Sequence, residues 1–264
     1  MRVIILTTSA YGTAGHHLPV LAQFAKIDIA AVVLSEGLAL NRRKRYSKII
    51  RKILKIGILG ALNGIRMRKW YNEHLDTHCN IKSIEDTCRQ YSIPFIKVPS
   101  TNGKRTQQVF GDLKPDLALS LGNGYISSKV FNIPKYGMLN IHHEILPDYQ
   151  NAQSVIWQLY NGSCETGYTI HKIDDHIDTG DIILQERMPI YFNETLGETV
   201  TATLCRLLDR SAEGLKKVLE NFDVYQNAAS LQRLGRKYTT PSYWQYLKIV
   251  KNFKRLKTAA NTIR

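Results

Sequence analysis

Residues 137–181 read GMLNIHHEILPDYQNAQSVIWQLYNGSCETGYTIHKIDDHIDTGD. The segment 138–142 is apolar except for Asn140 and His142, which predicts a short buried strand that ends in polar groups. Because successive side chains of a strand alternate between faces, we expect Asn140 and His142 on the same face, about 7 Å apart. A carboxamide there can donate a hydrogen bond to a developing oxyanion, and an imidazole can move a proton.

A carboxylate follows at a distance from this pair. Asp178 stands thirty-six positions after His142, in an Asp-Thr-Gly-Asp sequence that predicts a tight turn. On such a turn the carboxylate could fold back onto the imidazole and orient it. An Asn-x-His pair alone is more often structural than catalytic, so the functional interpretation depends on the whole stretch.

The whole stretch contains an ordered series of residues: Gly137, Asn140-x-His142, Leu146-Pro147-x-Tyr149, Trp157, Asn161-Gly162, Thr166-Gly167-Tyr168-Thr169 and Asp178-x-Gly180-Asp181. This series resembles the folate-dependent formyltransferase family, which includes the methionyl-tRNA, glycinamide ribonucleotide and amino-sugar formyltransferases. The resemblance is strong over residues 110–190, weaker over 1–35 and faint elsewhere. It implies that Asn140, His142 and Asp178 are the catalytic residues and that 10-formyltetrahydrofolate is the co-substrate.

Two departures from the family pattern border the acceptor side. His143 and Glu144 follow the catalytic histidine, where members usually have a small residue or proline and then serine. Gln150 and Asn151 follow Tyr149, where members usually have Arg-Gly or Pro-Gly. The acceptor is therefore less defined than the chemistry. We take Glu144, Tyr149 and Gln150 as candidate acceptor-binding residues, Glu144 from its place alone.

Two glycine-containing loops are further candidates for binding. A strand, a small-residue loop and a helix at residues 3–25 can receive an anion at the helix N-terminus, and the family resemblance places Gly12, Thr13 and Gly15 near the acceptor. A second loop follows a predicted strand, where ligands bind in open α/β sheets. The resemblance places the pterin of the folate against this second loop and the turn near Asp178, which gives as cofactor-binding candidates Gly122, Asn123, Gly124, Tyr125, Ile126, Asp175, Ile177 and Asp181.

Strand and helix patterns alternate along most of the chain. We predict strands at 3–7, 27–34, 94–98, 116–120, 138–142, 168–173 and 182–187, and helices at 18–25, 83–91, 104–113, 127–131, 152–160, 196–219 and 243–257. This alternation favours an α/β fold, a Rossmann-like open and mainly parallel sheet with helices on both faces.

The net charge of +14 is concentrated in two segments. Residues 41–72 contain eleven Lys or Arg and no acid, and residues 224–264 contain nine and no acid, whereas the rest has 16 basic and 22 acidic residues. Such a distribution favours a localised anionic partner. We therefore predict a catalytic domain at 1–222, with a basic helical insert at 41–72, and a short basic C-terminal extension at 223–264.

The basic insert has Ile and Leu at roughly helical spacing between its cations. Gly57, Gly60 and Gly64 are expected to weaken the second half of the helix. Two uses are open: an element packed on the body with a solvated basic face, or a surface that docks on anionic lipid or polyphosphate.

The four cysteines, Cys79, Cys88, Cys164 and Cys205, lack metal-ligand spacing, so we expect reduced thiols and no metal. The N-terminal apolar run lacks a signal-peptide cleavage pattern, and no apolar stretch approaches the roughly 18 residues that span a bilayer. We therefore expect a cytoplasmic protein, with the insert as a candidate for peripheral association with an anionic membrane.

These observations and the resemblance together predict formyl transfer from 10-formyltetrahydrofolate to a primary amine. A nucleotide-linked amino sugar in surface-polysaccharide precursor synthesis is the favoured acceptor, because the last 40 residues are shorter than the C-terminal domain of methionyl-tRNA formyltransferases and minimal purine-pathway members lack the insert. The alternatives are methionyl-tRNA, glycinamide ribonucleotide, or water in a hydrolase. In another class, the fold could serve as a non-catalytic RNA- or membrane-binding module. Nucleic acid is the less favoured partner, and a homodimer is left open.

Overall fold

The computed structural model describes residues 1–37 and 42–262, so the first residue of the predicted insert and the last two of the extension lie outside the described residues. The strands are β1 (Arg2–Thr7), β2 (Asp28–Ser35), β3 (Phe95–Val98), β4 (Leu117–Ser120), β5 (Met138–His142), β6 (Glu165–Lys172) and β7 (Ile182–Pro189). The helices are α1 (Gly12–Ala22), α2 (Arg42–Tyr71), α3 (Glu73–His78), α4 (Ile84–Gln90), α5 (Lys104–Leu113), α6 (Ser128–Phe131), α7 (Ile156–Asn161), α8 (Leu196–Glu220), α9 (Phe222–Asn227) and α10 (Tyr243–Thr262).

The strands form one seven-stranded sheet in the order β3-β2-β1-β4-β5-β6-β7. The strands β1 to β5 pair in parallel, whereas β6 pairs antiparallel with β5 and with β7. The predicted open and mainly parallel sheet is therefore confirmed. Strand order reverses between β1 and β4, and in open α/β sheets ligands bind at the carboxyl ends of the strands beside this switch point.

Buried side chains cover both faces of the sheet. On one face the long helix α8 contributes a row of fully buried residues that includes Leu207, Leu208 and Leu215. Its N-terminus is closed by a capping box, in which Thr195 and Glu198 each accept the other's backbone N–H. On the other face Phe110 of α5 and Val130 of α6 pack against β1, β2 and β4.

The basic insert forms the helix α2, which is interrupted at Gly57, where φ is 75° and ψ is 163°. The second half of the insert is helical, because its glycines allow close packing. Gly60 lies against Ser242 and Tyr243, where an added Cβ would be 3.2 Å from the Tyr243 nitrogen. Ile56, Met67 and Trp70 are 7%, 0% and 5% exposed, so this face of the insert is part of the core.

Two predicted helices begin elsewhere. The helix α1 begins at Gly12 and not at 18, so Pro19 lies inside the helix, and the burial of Ala14, Leu18 and Leu21 outweighs its missing N–H. The helix α7 begins at Ile156 and not at 152, because the preceding Val155 has a φ of 71° that a helix cannot continue through. Residues 151–154 are consequently free to line a cavity.

The expectation of reduced thiols is wrong for one pair of cysteines. Cys79 and Cys205 form a disulfide, with Cα atoms 5.8 Å apart and a separation of 126 positions in sequence. The helix α3 packs on α8, and this tertiary contact brings the two thiols together without any signature in their spacing. Cys88 is a buried free thiol and Cys164 an exposed one.

None of the helices in the described ranges combines the length and apolar content that crossing a membrane requires.

Candidate active site

A cavity of about 560 Å³ opens at the carboxyl ends of β1, β4 and β5. Its walls come from the loop after β1, the loop after β4, the ends of β5 and β6, residues 151–154 and the turn near Asp178. Leu204 and Leu208 of α8 form its apolar floor. The predicted catalytic residues Asn140, His142 and Asp178 all line it.

Asn140 is held by a histidine on the neighbouring strand. In the antiparallel register of β5 and β6, Asn140 stands opposite His171, and the Asn140 Nδ2 lies 3.1 Å from the His171 Nε2. The other ring nitrogen, Nδ1, lies 2.7 Å from the Lys172 carbonyl oxygen, which can only accept. The Nδ1 therefore carries the proton, the Nε2 accepts from the carboxamide, and His171 fixes the direction of the Asn140 amide.

Burial keeps His171 neutral in this role. Desolvation lowers the pKa of His171 to about 4, although the nearby Asp178 carboxylate acts in the opposite direction. A neutral imidazole is the form that the hydrogen bond from Asn140 requires, because an imidazolium has no acceptor nitrogen. The hydrogen bond between Asn140 and His171 is therefore formed at neutral pH.

His142 has one nitrogen bound and the other directed at a carboxylate. Its Nε2 lies 2.9 Å from the Tyr149 carbonyl oxygen, so this nitrogen carries a proton. Its Nδ1 lies 3.8 Å from the Asp178 Oδ2. In the neutral ring the Nδ1 holds the lone pair, so His142 can take a proton there and the resulting imidazolium would face Asp178.

Asp178 lies between the two histidines and is held there by hydrogen bonds from residues 150 and 151. Its Oδ1 lies 3.7 Å from the His171 Nε2, and its Oδ2 accepts from the Asn151 backbone N–H at 2.8 Å. The Gln150 side-chain amide donates to the Asp178 carbonyl oxygen at 3.1 Å. Asp178 has a φ of 56°, a left-handed conformation that aspartate tolerates in turns. The turn thus folds back onto His142, as its position in the sequence suggested.

The predicted cofactor-binding residues divide into two groups. Six of them line the cavity: Gly122, Asn123, Gly124, Tyr125, Ile126 and Ile177. Asp175 is exposed outside the lining, and Asp181 lies directly before β7, where its carbonyl oxygen accepts from the Lys172 N–H. The neighbouring Asp174 lines the cavity instead and fixes the turn through the Thr179 hydroxyl at 2.7 Å.

The predicted acceptor-binding residues are also divided. Gly12 and Thr13 line the cavity, in the first turn of α1, but the Gly12 N–H already donates to Asp76 at 3.1 Å. Gly15 lies outside the lining and packs against residues 81–82. The other three also lie outside the cavity lining: Glu144, Tyr149 and Gln150.

These three residues lie behind the cavity lining, and two of them hold His142 and the Asp178 turn in place. Glu144 is fully buried beside the Gln158 amide, and desolvation raises its pKa well above the usual value, which favours a neutral carboxyl. Tyr149 presents its carbonyl oxygen to His142, and its ring stacks on Tyr238 at 5.5 Å. Gln150 is 2% exposed and holds the Asp178 turn.

Two groups of lining residues had no sequence motif to predict them. His171 is visible only once β6 is paired with β5 in register. Tyr71 and Asn72 come from the end of the basic insert, which the sequence left as either a packed element or a docking surface. The Tyr71 hydroxyl donates to the Ser154 carbonyl oxygen at 2.7 Å, so the insert closes one wall of the cavity.

Part of the chain is similar to known formyltransferases. Residues 96–218 match the family described as Formyl transferase. A methionyl-tRNA formyltransferase of Kosmotoga olearia is 36% identical over 137 residues, which are 51% of this chain and 44% of that protein. A GDP-perosamine N-formyltransferase of Brucella melitensis is 29% identical over 120 residues, 45% of this chain and 46% of that protein. The match therefore spans about half the length of these curated relatives.

A solved structure shares the fold over nearly the whole chain. It is a sugar 3N-formyl transferase in the presence of dTDP and 5-N-formyl-THF, with a TM-score of 0.54 at 16% identity. The alignment covers 96% of this chain and 79% of that one. This likeness extends the shared fold beyond the matched segment. Residues 96–218 therefore form a formyl transferase domain.

Proposed function

We propose that this protein transfers a formyl group from 10-formyltetrahydrofolate to a primary amine. The observation that carries the proposal is the cluster of Asn140, His142, His171 and Asp178 in a cavity of about 560 Å³ at the carboxyl edge of the sheet. His171 is neutral, and the directions of the Asn140 amide and of the His142 ring suit acyl transfer to nitrogen.

The roles follow from the hydrogen bonds. Asn140 keeps one amide hydrogen on His171, and its second hydrogen is available to an oxyanion that develops on the formyl oxygen. His142 accepts the proton that the attacking amine must lose and passes it to the leaving nitrogen of the folate. Asp178 stabilises the imidazolium that exists between these two transfers. The bond from the formyl carbon to N10 breaks, a bond to the amine forms, and one proton moves.

The loop after β4 and the turn near Asp178 fit a flat heterocycle. Ile126, Ile173 and Ile177 offer apolar contacts from the two sides. The Asn123 amide donates to the Leu6 carbonyl oxygen at 2.6 Å, while its buried side-chain oxygen has no partner among the described residues. That oxygen could accept from a ring N–H, which is the kind of edge that a pterin presents.

For the acceptor we propose a nucleotide-linked amino sugar. The support is the wall formed by Tyr71 and Asn72, which brings the end of the basic insert to the cavity. The described part of the cavity lining itself contains no Lys or Arg. The GDP-perosamine N-formyltransferase of Brucella melitensis is a relative whose acceptor has this chemistry by name.

Methionyl-tRNA is the second candidate acceptor. It is favoured by the 36% identity to the methionyl-tRNA formyltransferase of Kosmotoga olearia and by the net charge of +14. The shared chemistry is the same attack by a primary amine, so the two candidates differ only in what lies beyond the amine.

A screen of amines with 10-formyltetrahydrofolate, following tetrahydrofolate release, tests both levels of the proposal. We expect turnover with a nucleotide-linked amino sugar and none with His142→Ala. Turnover only with methionyl-tRNA or glycinamide ribonucleotide would replace the acceptor but keep the reaction. Formate release without any amine would indicate a hydrolase, and no release with any acceptor would leave a binding module as the function.

A further inference from the structure

The face of α2 that points away from the body is apolar, although α2 already uses another face for packing. On the first half, Ile49, Ile50 and Leu54 are 44%, 56% and 80% exposed. On the second half, the exposed aliphatic residues are Ile58, Leu59, Leu62 and Ile65, at 51–69%. Single exposed apolar residues are ordinary, but seven along the two halves of one helix form a patch that indicates an interaction surface.

Cations lie among these apolar residues. Arg51, Lys52 and Lys55 are exposed on the first half of α2, and Arg66, Arg68 and Lys69 on the second. The insert contains no acidic residue, and the salt bridges within the described part of the chain do not involve α2. The patch is therefore positively charged as well as apolar.

An exposed aromatic residue lies on α10, next to the residues through which α10 packs on α2. The start of α10 packs on Gly60 through Ser242 and Tyr243. Trp244 follows directly and is 76% exposed. Tryptophan is enriched where an apolar region meets water, as at the headgroup level of a membrane.

We infer that the outer face of α2, with Trp244, docks on an anionic membrane surface. Aliphatic residues enter the boundary between headgroups and acyl chains while Lys and Arg stay beside the lipid phosphates. A second copy of the chain fits poorly, because a two-fold contact would place this cationic patch against itself. Nucleic acid would use the cations but leave the seven aliphatic residues without a partner.

Co-sedimentation with phosphatidylcholine vesicles, with and without phosphatidylglycerol, tests the charge requirement. We expect binding only to the anionic vesicles and weaker binding at higher salt. Replacing Arg51, Lys52 and Lys55 by Gln should lower the partition coefficient on the order of a hundredfold. The matched control replaces Lys104, Arg105 and Lys129, which are exposed elsewhere, by Gln and should bind as the wild type does.

A second pair of variants tests the apolar requirement. Leu54→Gln, Ile58→Gln and Leu62→Gln together should lower binding by at least about tenfold. The control changes Val224, Leu231 and Leu234, which are 69%, 88% and 102% exposed, to Gln and should have no effect. Binding that survives the α2 apolar variant but not the charge variant, or binding to RNA without binding to vesicles, would overturn the membrane proposal in favour of an electrostatic nucleic-acid surface.

Tryptophan fluorescence provides a readout that does not depend on variants in α2. The chain has three tryptophans, and Trp70 and Trp157 are only 5% and 3% exposed. Anionic vesicles should therefore shift the emission of Trp244 to shorter wavelength, and the shift should vanish in Trp244→Phe. Sedimentation without such a shift would place the contact elsewhere. An apolar variant that changes the sedimentation coefficient of the free protein would assign the patch to self-association instead.

Discussion

The carboxyl edge of β5 and the helix α2 both bury side chains, but the burial has a different consequence in each. At the β5 edge, polar groups are largely buried and held in place by hydrogen bonds, as in the contact between Asn140 and His171 at 3.1 Å. On α2, one face is as buried as any core helix, with Met67 at 0% exposure, while the opposite face leaves Leu54 80% exposed. The comparison indicates that the edge is built to hold a few atoms in place, whereas the helix joins the cavity to an outer surface.

The largest effect is expected at the β5 edge. His142→Ala, Asn140→Ala and Asp178→Ala should each lower kcat by a hundredfold or more, because each removes a proton acceptor or a charge partner of the transition state. Steady-state assays with the acceptor found in the screen measure this, with circular dichroism as the check on folding. Near wild-type turnover by His142→Ala would contradict the proposed mechanism.

Stability should fall on acidification because histidines at this edge are buried in the neutral form. Burial lowers the pKa of His143 to about 3 and that of His171 to about 4, both below the unfolded value of 6.5. The unfolded chain therefore binds more protons between pH 6.5 and about 4, so the free energy of unfolding drops as pH falls through this window. Within this window each histidine lowers the free energy of unfolding by about 1.4 kcal/mol per pH unit.

Urea unfolding at several pH values measures this dependence. His171→Asn should flatten the curve between pH 6.5 and about 4, relative to its own value at pH 7. Unchanged pH dependence in that variant would mean that His171 titrates in the folded protein much as it does in the unfolded chain. The neighbouring titratable groups His142 and Asp178 are unchanged in this variant.

The two faces of α2 should respond differently to truncation. Met67→Ala removes a fully buried side chain and should cost about 2–4 kcal/mol of unfolding free energy. Leu62→Ala, at 57% exposure, should change it by less than about 0.5 kcal/mol. Thermal and urea unfolding compare the two. Equal losses would mean that the outer face of α2 is covered in the folded protein.

Local sequence predicted the edge better than it predicted the walls around it. The strand at 138–142, the loop after β4 and the turn at Asp178 follow from residue patterns within a few positions, and the structure has all three. His171 depends on the pairing of β5 with β6, and the disulfide depends on α3 meeting α8, so neither has a local signature. The end of α2 reaches the cavity only because Met67 and Trp70 pack on the body.

His171 should act through Asn140 and not by itself. His171→Phe removes the acceptor that orients the Asn140 amide, and we expect kcat to fall about tenfold with little change in KM. In an Asn140→Ala background the same change should cost little, since the group that it positions is gone. Independent and multiplicative losses in the double variant would assign His171 a separate role, for instance in holding Asp178.

The smallest effect concerns the wall that α2 adds to the cavity. Tyr71→Phe keeps the ring and removes the hydroxyl that donates to the Ser154 carbonyl oxygen, so we expect the KM for the acceptor to rise about three- to tenfold with kcat nearly unchanged. The matched control is Tyr125→Phe on the loop after β4, which lines the same cavity and is 51% exposed. If the two walls bind different substrates, Tyr125→Phe should alter the KM for the folate and should not change the KM for the acceptor. A rise in the KM for the folate in Tyr71→Phe would show instead that α2 shapes the donor site. The end of α2 could then not be assigned to the acceptor side of the cavity.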